Sequence, residues 1–506
     1  MLSLVACLCL AGAFLWLANR AVSSRRPAPF PPGPRPLPLI GNMFDLPNTK
    51  GWLTFAAWAQ YGDISHIEIM GRHIVVLNSA KEATEMLDKK SSKYSDRPVF
   101  HMAGNLIGFK YSLPLLRYGD RFRESRRQFH RFIGTRAMLK TYHDTQQLEV
   151  HRFLKRVYAR PEQLATHIRR TVGTVILRMS HGYQVQDDHD RFVQNAENGL
   201  LIFGQSTTPG AYLVDVLPVR RYIPEWFPGA GFKSAARKWK EEVQEMVDQP
   251  HRWVKEQMAA GVASKSFTSA LLDVPSLSEE DEHAIKWSAA SFYGGGADTS
   301  VSAVYAFFLA MTLFPEAQKK AQAEIDAVIG ADRLPTFTDR DSLPFVEAVI
   351  KEALRWHAVI PLGNALHSTS EDDIHEGYYI PKGTTVIPNI WFMLHDPRVY
   401  SDPMEFRPER FLARGSKDQE TDPRTIAFGF GRRICPGLHL ADESLWLSAV
   451  ASLAVFDITK MVENGIEITP EIDPSSHATS HPKPFKCSIK PRSTRASELV
   501  QQDTYY

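Results

Sequence analysis

The chain has 506 residues, 43% hydrophobic and 23% charged, a composition ordinary for a folded protein and able to fill a sizeable core. Its 59 basic and 57 acidic residues leave a formal charge of only +2, which gives no whole-chain reason to expect a nucleic-acid partner. The four cysteines, Cys7, Cys9, Cys435 and Cys487, are not spaced as a disulfide scaffold, and they suit a reduced compartment facing the cytosol.

In chain order, residues 2–18 carry no charge and are mostly Leu, Val, Ala, Phe and Trp, at the short end of the range for a membrane-spanning helix. Arg20, Arg25 and Arg26 follow, and positive charge beside a span favours the cytosolic side. Residues 1–19 are therefore predicted to be a single-pass transmembrane anchor, with Met1 lumenal and the body cytosolic. The rival is a cleaved secretory signal, disfavoured because the charge follows the apolar run. Residues 20–40 form a basic, proline-rich hinge, with seven prolines between 27 and 38 that favour extended backbone.

The body, 41–488, opens with predicted strands at 63–70 and 73–77. Helices are predicted at 119–134, 138–158 and 161–183, and residues 205–227 read as loop or short helices. The longest periodic stretch is 280–314, with Pro315 opening the next helix to about Ile329. A helix of that length spans roughly 50 Å and crosses a whole domain. A further helix is predicted at 344–357, short strands at 376–380 and 384–388, a proline-rich meander at 397–424 and a long helix at 437–453. The tail, 489–506, reads as polar and flexible. The fold class is mainly α with small β-sheets.

The sharpest chemical feature is Phe428-Gly429-Phe430-Gly431-Arg432-Arg433-Ile434-Cys435-Pro436-Gly437. Its glycines allow close backbone approach, its arginines favour thiolate, and an apolar helix begins directly after the cysteine. A buried structural cysteine in a glycine-rich turn is the bland alternative. Glu352 and Arg355 lie at i and i+3 on one helix face and can pair. Gly295-Gly296-Ala297-Asp298-Thr299-Ser300 sits inside the long helix, where adjacent glycines leave room for a ligand or a distortion. An acid followed by a hydroxyl residue can relay protons, and close helix packing with a solvent-facing aspartate is the alternative.

Residues 428–437 resemble the haem-binding signature of the cytochrome P-450 superfamily. The resemblance spans nearly the whole chain and is closest to fungal microsomal members that tailor secondary metabolites. It implies the superfamily's fold, with the long central helix crossing the distal face of haem b. Cys435 would be the axial iron ligand. Phe428 would lie near the proximal face, and Arg433, Arg126 and His367 would meet propionates. Asp298 and Thr299 would assist proton delivery at dioxygen. Glu352, Arg355 and Arg410, the last from Phe406-Arg407-Pro408-Glu409-Arg410-Phe411, would be structural. Phe122 stands where the family often has Trp and cannot donate a hydrogen bond.

The activity implied is insertion of one oxygen atom into a lipophilic secondary metabolite, read here as a terpenoid. A fatty acid or an aromatic polyketide would suit the same apolar lining. A haem-thiolate isomerase or dehydratase, or a haem sensor, has no need of the Asp298–Thr299 pair. The implied electron donor is NADPH-cytochrome P-450 reductase, with cytochrome b5 as a second donor, at the endoplasmic reticulum membrane. Pocket-facing residues are expected to include Met102, Phe109, Phe203, Phe292, Ile360, Leu362 and Leu366, with Asn105, Gln205, Ser206 and Asn364 orienting one polar group.

Overall fold

The computed structural model describes residues 26–47, 49–186, 190–208, 210–363, 366–413, 418–475 and 478–502. The predicted anchor, Cys7, Cys9 and Asn364 lie outside the described residues. Helices of eight residues or more are α1 (Asp120–Ile133), α2 (His143–Ala159), α3 (Leu164–His181), α4 (Arg191–Thr207), α5 (Gly231–Ala259), α6 (Glu279–Leu313), α7 (Pro315–Val328), α8 (Pro344–Trp356), α9 (Leu438–Val455) and α10 (Thr494–Gln501).

α6 organises the molecule. Ser278 caps it by accepting from Asp281 N–H, and Glu279 to Glu282 place negative charge at the positive end of its dipole. Beyond Ile285 it is apolar on almost every side, as a helix surrounded by protein must be. It packs on α3, α4, α8 and α9. Among the described residues it is also the one helix long and apolar enough to cross a membrane, but most of its apolar window is buried inside the protein, which marks a core helix. Pro315 ends it and opens α7.

β1 (Ile64–Ile69) and β2 (Arg72–Leu77) form a hairpin whose turn residues, Met70 and Gly71, both have positive φ. With β3 (His367–Ser368) and β6 (Thr385–Pro388) they make a four-stranded sheet in the order β1-β2-β6-β3, β6 running parallel to β2. β4 (Asp373–His375) and β5 (Tyr378–Ile380) form a separate hairpin around Glu376 and Gly377, both at positive φ. The two strands expected around Pro381-Lys382-Gly383 thus exist but belong to different sheets.

Two expectations need correction. The tail after 488 is folded as far as Gln502: β7 (Phe456–Glu463) pairs with both β8 (Ile466–Ile468) and β9 (Cys487–Pro491), and α10 follows. Ala496, Leu499 and Val500 form an apolar stripe that buries against the body, and His151 Nε2 meets Val500 O at 3.0 Å. α4 and α5 were not expected as helices. α5 carries Pro250 in its interior, a residue that argues against helix in sequence.

Candidate active site

The Cys435 loop is built by two glycines. Gly429 and Gly431 have φ of +79° and +55°, and a Cβ on Gly431 would lie 2.2 Å from Leu87 O, so the chain there tolerates no side chain. Cys435 N–H closes the loop onto Phe428 O at 2.8 Å. α9 begins three residues after the cysteine and lines the cavity with Leu440, Ala441 and Leu445. Burial pushes the Cys435 thiol up, against the opposing pull of the Gly437 amide and the Arg126 charge. The arginine and helix-amide effects expected from the sequence are both present, and burial outweighs them in the protein by itself. A coordinated metal cation would remove the proton outright.

The thiol faces a cavity of about 320 Å³. Its opposite wall is α6, contributing Ser291, Phe292, Gly295, Gly296, Thr299, Ser300 and Ala303. The two glycines serve different purposes. A Cβ on Gly296 would meet Ile176 Cδ1 at 2.8 Å, whereas one on Gly295 meets nothing within 4 Å. Gly296 permits close packing of α6 on α3, and Gly295 leaves the wall low. Thr299 Oγ1 donates to Gly295 O at 2.8 Å, which bends hydrogen bonding of this turn back on itself.

At one edge of the cavity three guanidiniums converge. Arg126 Nη1 donates to Ile434 O at 2.7 Å, tying α1 to the cysteine loop. Arg433 donates to Ser95 O and Leu116 O, both at 2.7 Å, and its Nη1 is buried without a partner among the described residues. Arg97 donates to Pro114 O at 2.8 Å and Leu366 O at 3.1 Å. Burial holds all three below the usual arginine value, and repulsion from Arg433 adds to the effect at Arg97. Phe122, lacking the indole donor, lies under Arg433 with 3.7 Å from guanidinium carbon to ring centre, a cation–π contact that keeps the cation in place. Cationic, under-solvated and facing a cavity, this edge asks for anions.

His367 lines the same edge. Burial first, then the Arg97 charge, pushes it down to about 3, so the ring is neutral near pH 7. Its Nδ1 lies 2.9 Å from Tyr94 O and must carry the proton, which leaves Nε2 bare. Contact with a carboxylate would therefore require a second proton. Phe428 also lines the cavity.

The remaining expectations divide. Asp298 is absent from the cavity wall: its Oδ1 lies 2.9 Å from His481 Nε2. Burial opposes ionisation there, but His481, Thr479 and Arg169 together hold the carboxyl below its usual value. Glu352, Arg355 and Arg410 form a fully buried network off the cavity. Arg355 Nε and Nη2 reach Glu352 at 2.7 and 2.9 Å, and Arg410 Nε reaches Glu352 Oε2 at 3.1 Å. Arg407 N–H adds a bond to Glu352 Oε1 at 2.7 Å. Of the expected pocket residues, Phe292 and Ile360 line the cavity. Met102, Phe109 and Phe203 instead pack into a separate core cluster with Trp287, and Leu362 and Leu366 pack against the sheet. Arg97 was not anticipated, since an arginine before a proline carries no distinctive signal.

A haem b fits these residues. A lone thiol stands on one wall, a low glycine wall lies opposite, apolar side chains such as Leu113, Phe129 and Val359 lie between, and cations at one edge suit two propionates. The family model for cytochrome P-450 matches residues 31–489. The cytochrome P-450 monooxygenase 208 of Postia placenta is 52% identical over 489 residues, covering 96% of this chain and 95% of the relative. The monooxygenase claR of Ampulloclitocybe clavipes is 48% identical, covering 93% and 88%. The monooxygenase ppsD of Aspergillus oryzae is 41% identical, covering 93% and 90%. The chain belongs to the cytochrome P-450 family, with haem b as its cofactor and incorporation of molecular oxygen as its chemistry.

Proposed function

We propose that this monooxygenase is anchored by residues 1–19 in the endoplasmic reticulum membrane, with its body in the cytosol. It draws electrons from NADPH through a membrane-bound flavin-containing reductase and oxidises a lipophilic secondary metabolite of terpenoid class. The observation that carries the reading is the placement of the Cys435 thiol and the Thr299 hydroxyl on two walls of one largely apolar cavity. When bound, haem supplies dioxygen activation, and its thiolate ligand favours O–O cleavage.

The chain's own residues do the rest. Cys435 holds the iron. Arg97, Arg126 and Arg433 hold the propionates, and the unpartnered Arg433 Nη1 is the donor best placed for one. Thr299 presents its hydroxyl at the cavity, and Asp298 stores a charge one residue away, clamped by His481 until a proton is needed. Leu113, Phe129, Ile176, Phe292, Val359 and Ile360 exclude water and receive the substrate. The charged lining residues all belong to the propionate edge, so the α6 wall offers a fatty-acid carboxylate no cation; this favours a neutral hydrocarbon skeleton. The test is product analysis with terpenoid, fatty-acid and aromatic polyketide scaffolds under ¹⁸O-labelled dioxygen, with holoenzyme, reductase and NADPH. One labelled oxygen in a terpenoid product is expected. Labelled product from only another class would overturn the substrate reading, and product without label would overturn the oxygen-insertion reading.

A further inference from the structure

A second polar site lies in the protein wall behind the cysteine, on α9. Five of the buried side-chain polar atoms without a hydrogen-bond partner among the described residues gather there: His143 Nε2, Gln146 Nε2, Arg340 Nη1, Glu443 Oε2 and Trp446 Nε1. They come from α2, α9 and the turn Phe337–Ser342. Trp446, Gln146, Glu443 and Arg340 are each less than a tenth exposed.

Their proximity is fixed by the contacts they do make. His143 Nε2 and Glu443 Oε2 are 3.3 Å apart but out of line for a hydrogen bond. The Phe337 ring stacks on His143 at 3.9 Å and on Trp446 at 6.1 Å, and the Arg340 guanidinium lies 5.4 Å from the Trp446 ring centre. Gln146 and Arg340 are each held by a further contact. Ser444 Oγ donates to Gln146 Oε1 at 3.1 Å, which fixes the orientation of the amide. Arg340 is held by Glu347 at 2.9 Å and Asp442 at 2.8 Å.

Charge decides what these atoms bind. Arg136, Arg340 and Arg424 each contact Asp442, at 2.9, 2.8 and 3.1 Å, and Glu347 and Asp422 supply two further carboxylates. Lys351 also reaches Asp422 at 3.3 Å, so four cations face these three carboxylates and an ionised Glu443 completes the balance. What remains is a demand for a neutral group able to donate and accept at once. Tryptophan and guanidinium nitrogens only donate, and an ionised Glu443 only accepts.

We propose that His143, Gln146, Arg340, Glu443 and Trp446 enclose a buried water cluster that joins α2, α9 and the Phe337–Ser342 turn. One water makes at most about four hydrogen bonds, so five orphaned atoms call for at least two. Burial pushes the Glu443 carboxyl up to about 7, Asp442 adding to the push and Arg136, Arg340 and Gln146 opposing it. α9, which follows the cysteine loop, is then tied to its neighbours here through solvent.

The test is a crystal structure of the holoenzyme at a resolution that shows solvent, with one crystal soaked in bromide. Two or more water peaks are expected, each within hydrogen-bond distance of at least two of the five atoms and without bromide anomalous signal. A bromide peak would make this an anion site and overturn the proposal. Direct pairing of the five side chains with no solvent density would overturn it as well. Trp446→Phe keeps the ring and removes only the donor. The peak beside the ring edge is expected to lose at least half its occupancy while peaks at Glu443 persist. An unchanged peak at the ring edge would remove Trp446 from the site and overturn the five-residue assignment.

Discussion

The proposed chemistry rests on two single atoms, the Cys435 sulfur and the Thr299 hydroxyl oxygen. Cys435→Ala removes the proposed iron ligand and is expected to abolish the thiolate-type band in the reduced carbon monoxide spectrum. Cys487→Ala should leave that band intact, because Cys487 is buried in β9, outside the cavity lining. Thr299→Ala is expected to cost roughly a hundredfold in product rate, the lower end of what a positioned proton donor contributes. Asp298→Asn removes the ionisable partner while sparing the wall. Both variants should bind haem and substrate and divert electrons to peroxide, read as peroxide released per NADPH consumed. Unchanged coupling in both would remove the relay. At this scale the sequence was legible where chemistry and spacing coincide, as in the run from Phe428 to Gly437. It was silent about His481, which meets Asp298 across 183 residues, and about Arg97, because tertiary proximity leaves no local pattern.

At the scale of elements, the cysteine loop and α8 depend on unlike devices. Gly431→Ala would force a left-handed backbone on alanine and drive its Cβ into the Leu87 and Asp88 backbone, so haem incorporation is expected to fail. Gly429→Ala meets no atom within 4 Å and should cost only roughly 1–2 kcal/mol of backbone strain. A thermal melt of the two holoproteins separates these outcomes. α8 depends instead on charge. Glu352→Gln leaves the buried Arg355 without a carboxylate and Arg410 with only Glu420, and a loss of about 3–5 kcal/mol is expected in denaturant unfolding. A loss under 1 kcal/mol would mean that the carbonyls of Leu394, Pro403 and Glu405 suffice for Arg355. The long helices α6, α8 and α9 were readable from periodicity and punctuation. α5 was not, since Pro250 lies on its buried face and interrupts the helical signature. The strands around Pro381 were readable as strands, but partner choice was decided by the Glu376-Gly377 turn, which sends β5 back onto β4.

At the scale of the molecule, the question is where electrons enter. α1 holds Arg121, Arg123, Arg126, Arg127 and Arg131, and Arg126 anchors it to the cysteine loop, so this helix stands beside the loop that carries the thiol. The structure tempers the charge the sequence suggests. Arg121 pairs with Glu280 and Asp281, Arg123 with Asp120 and Arg127 with Glu124, while Arg131 is exposed and has no acidic partner among the described residues. Such exposed pairs are weak and exchange readily, so an acidic docking face can compete for the arginines. Opposite charge raises the encounter rate, and screening over about 10 Å at 0.1 M salt makes that gain salt-sensitive. Arg127→Glu combined with Arg131→Glu replaces two positive charges with two negative ones on a surface that does not line the cavity. Haem content and the substrate-induced spectral change should persist. First-electron transfer from the reductase, followed by stopped-flow haem reduction, is expected to slow at least roughly tenfold at low salt, about 1.4 kcal/mol of encounter energy. The gap to the parent should close as salt is raised. Parent-rate reduction of the double variant at low salt would place the docking surface elsewhere.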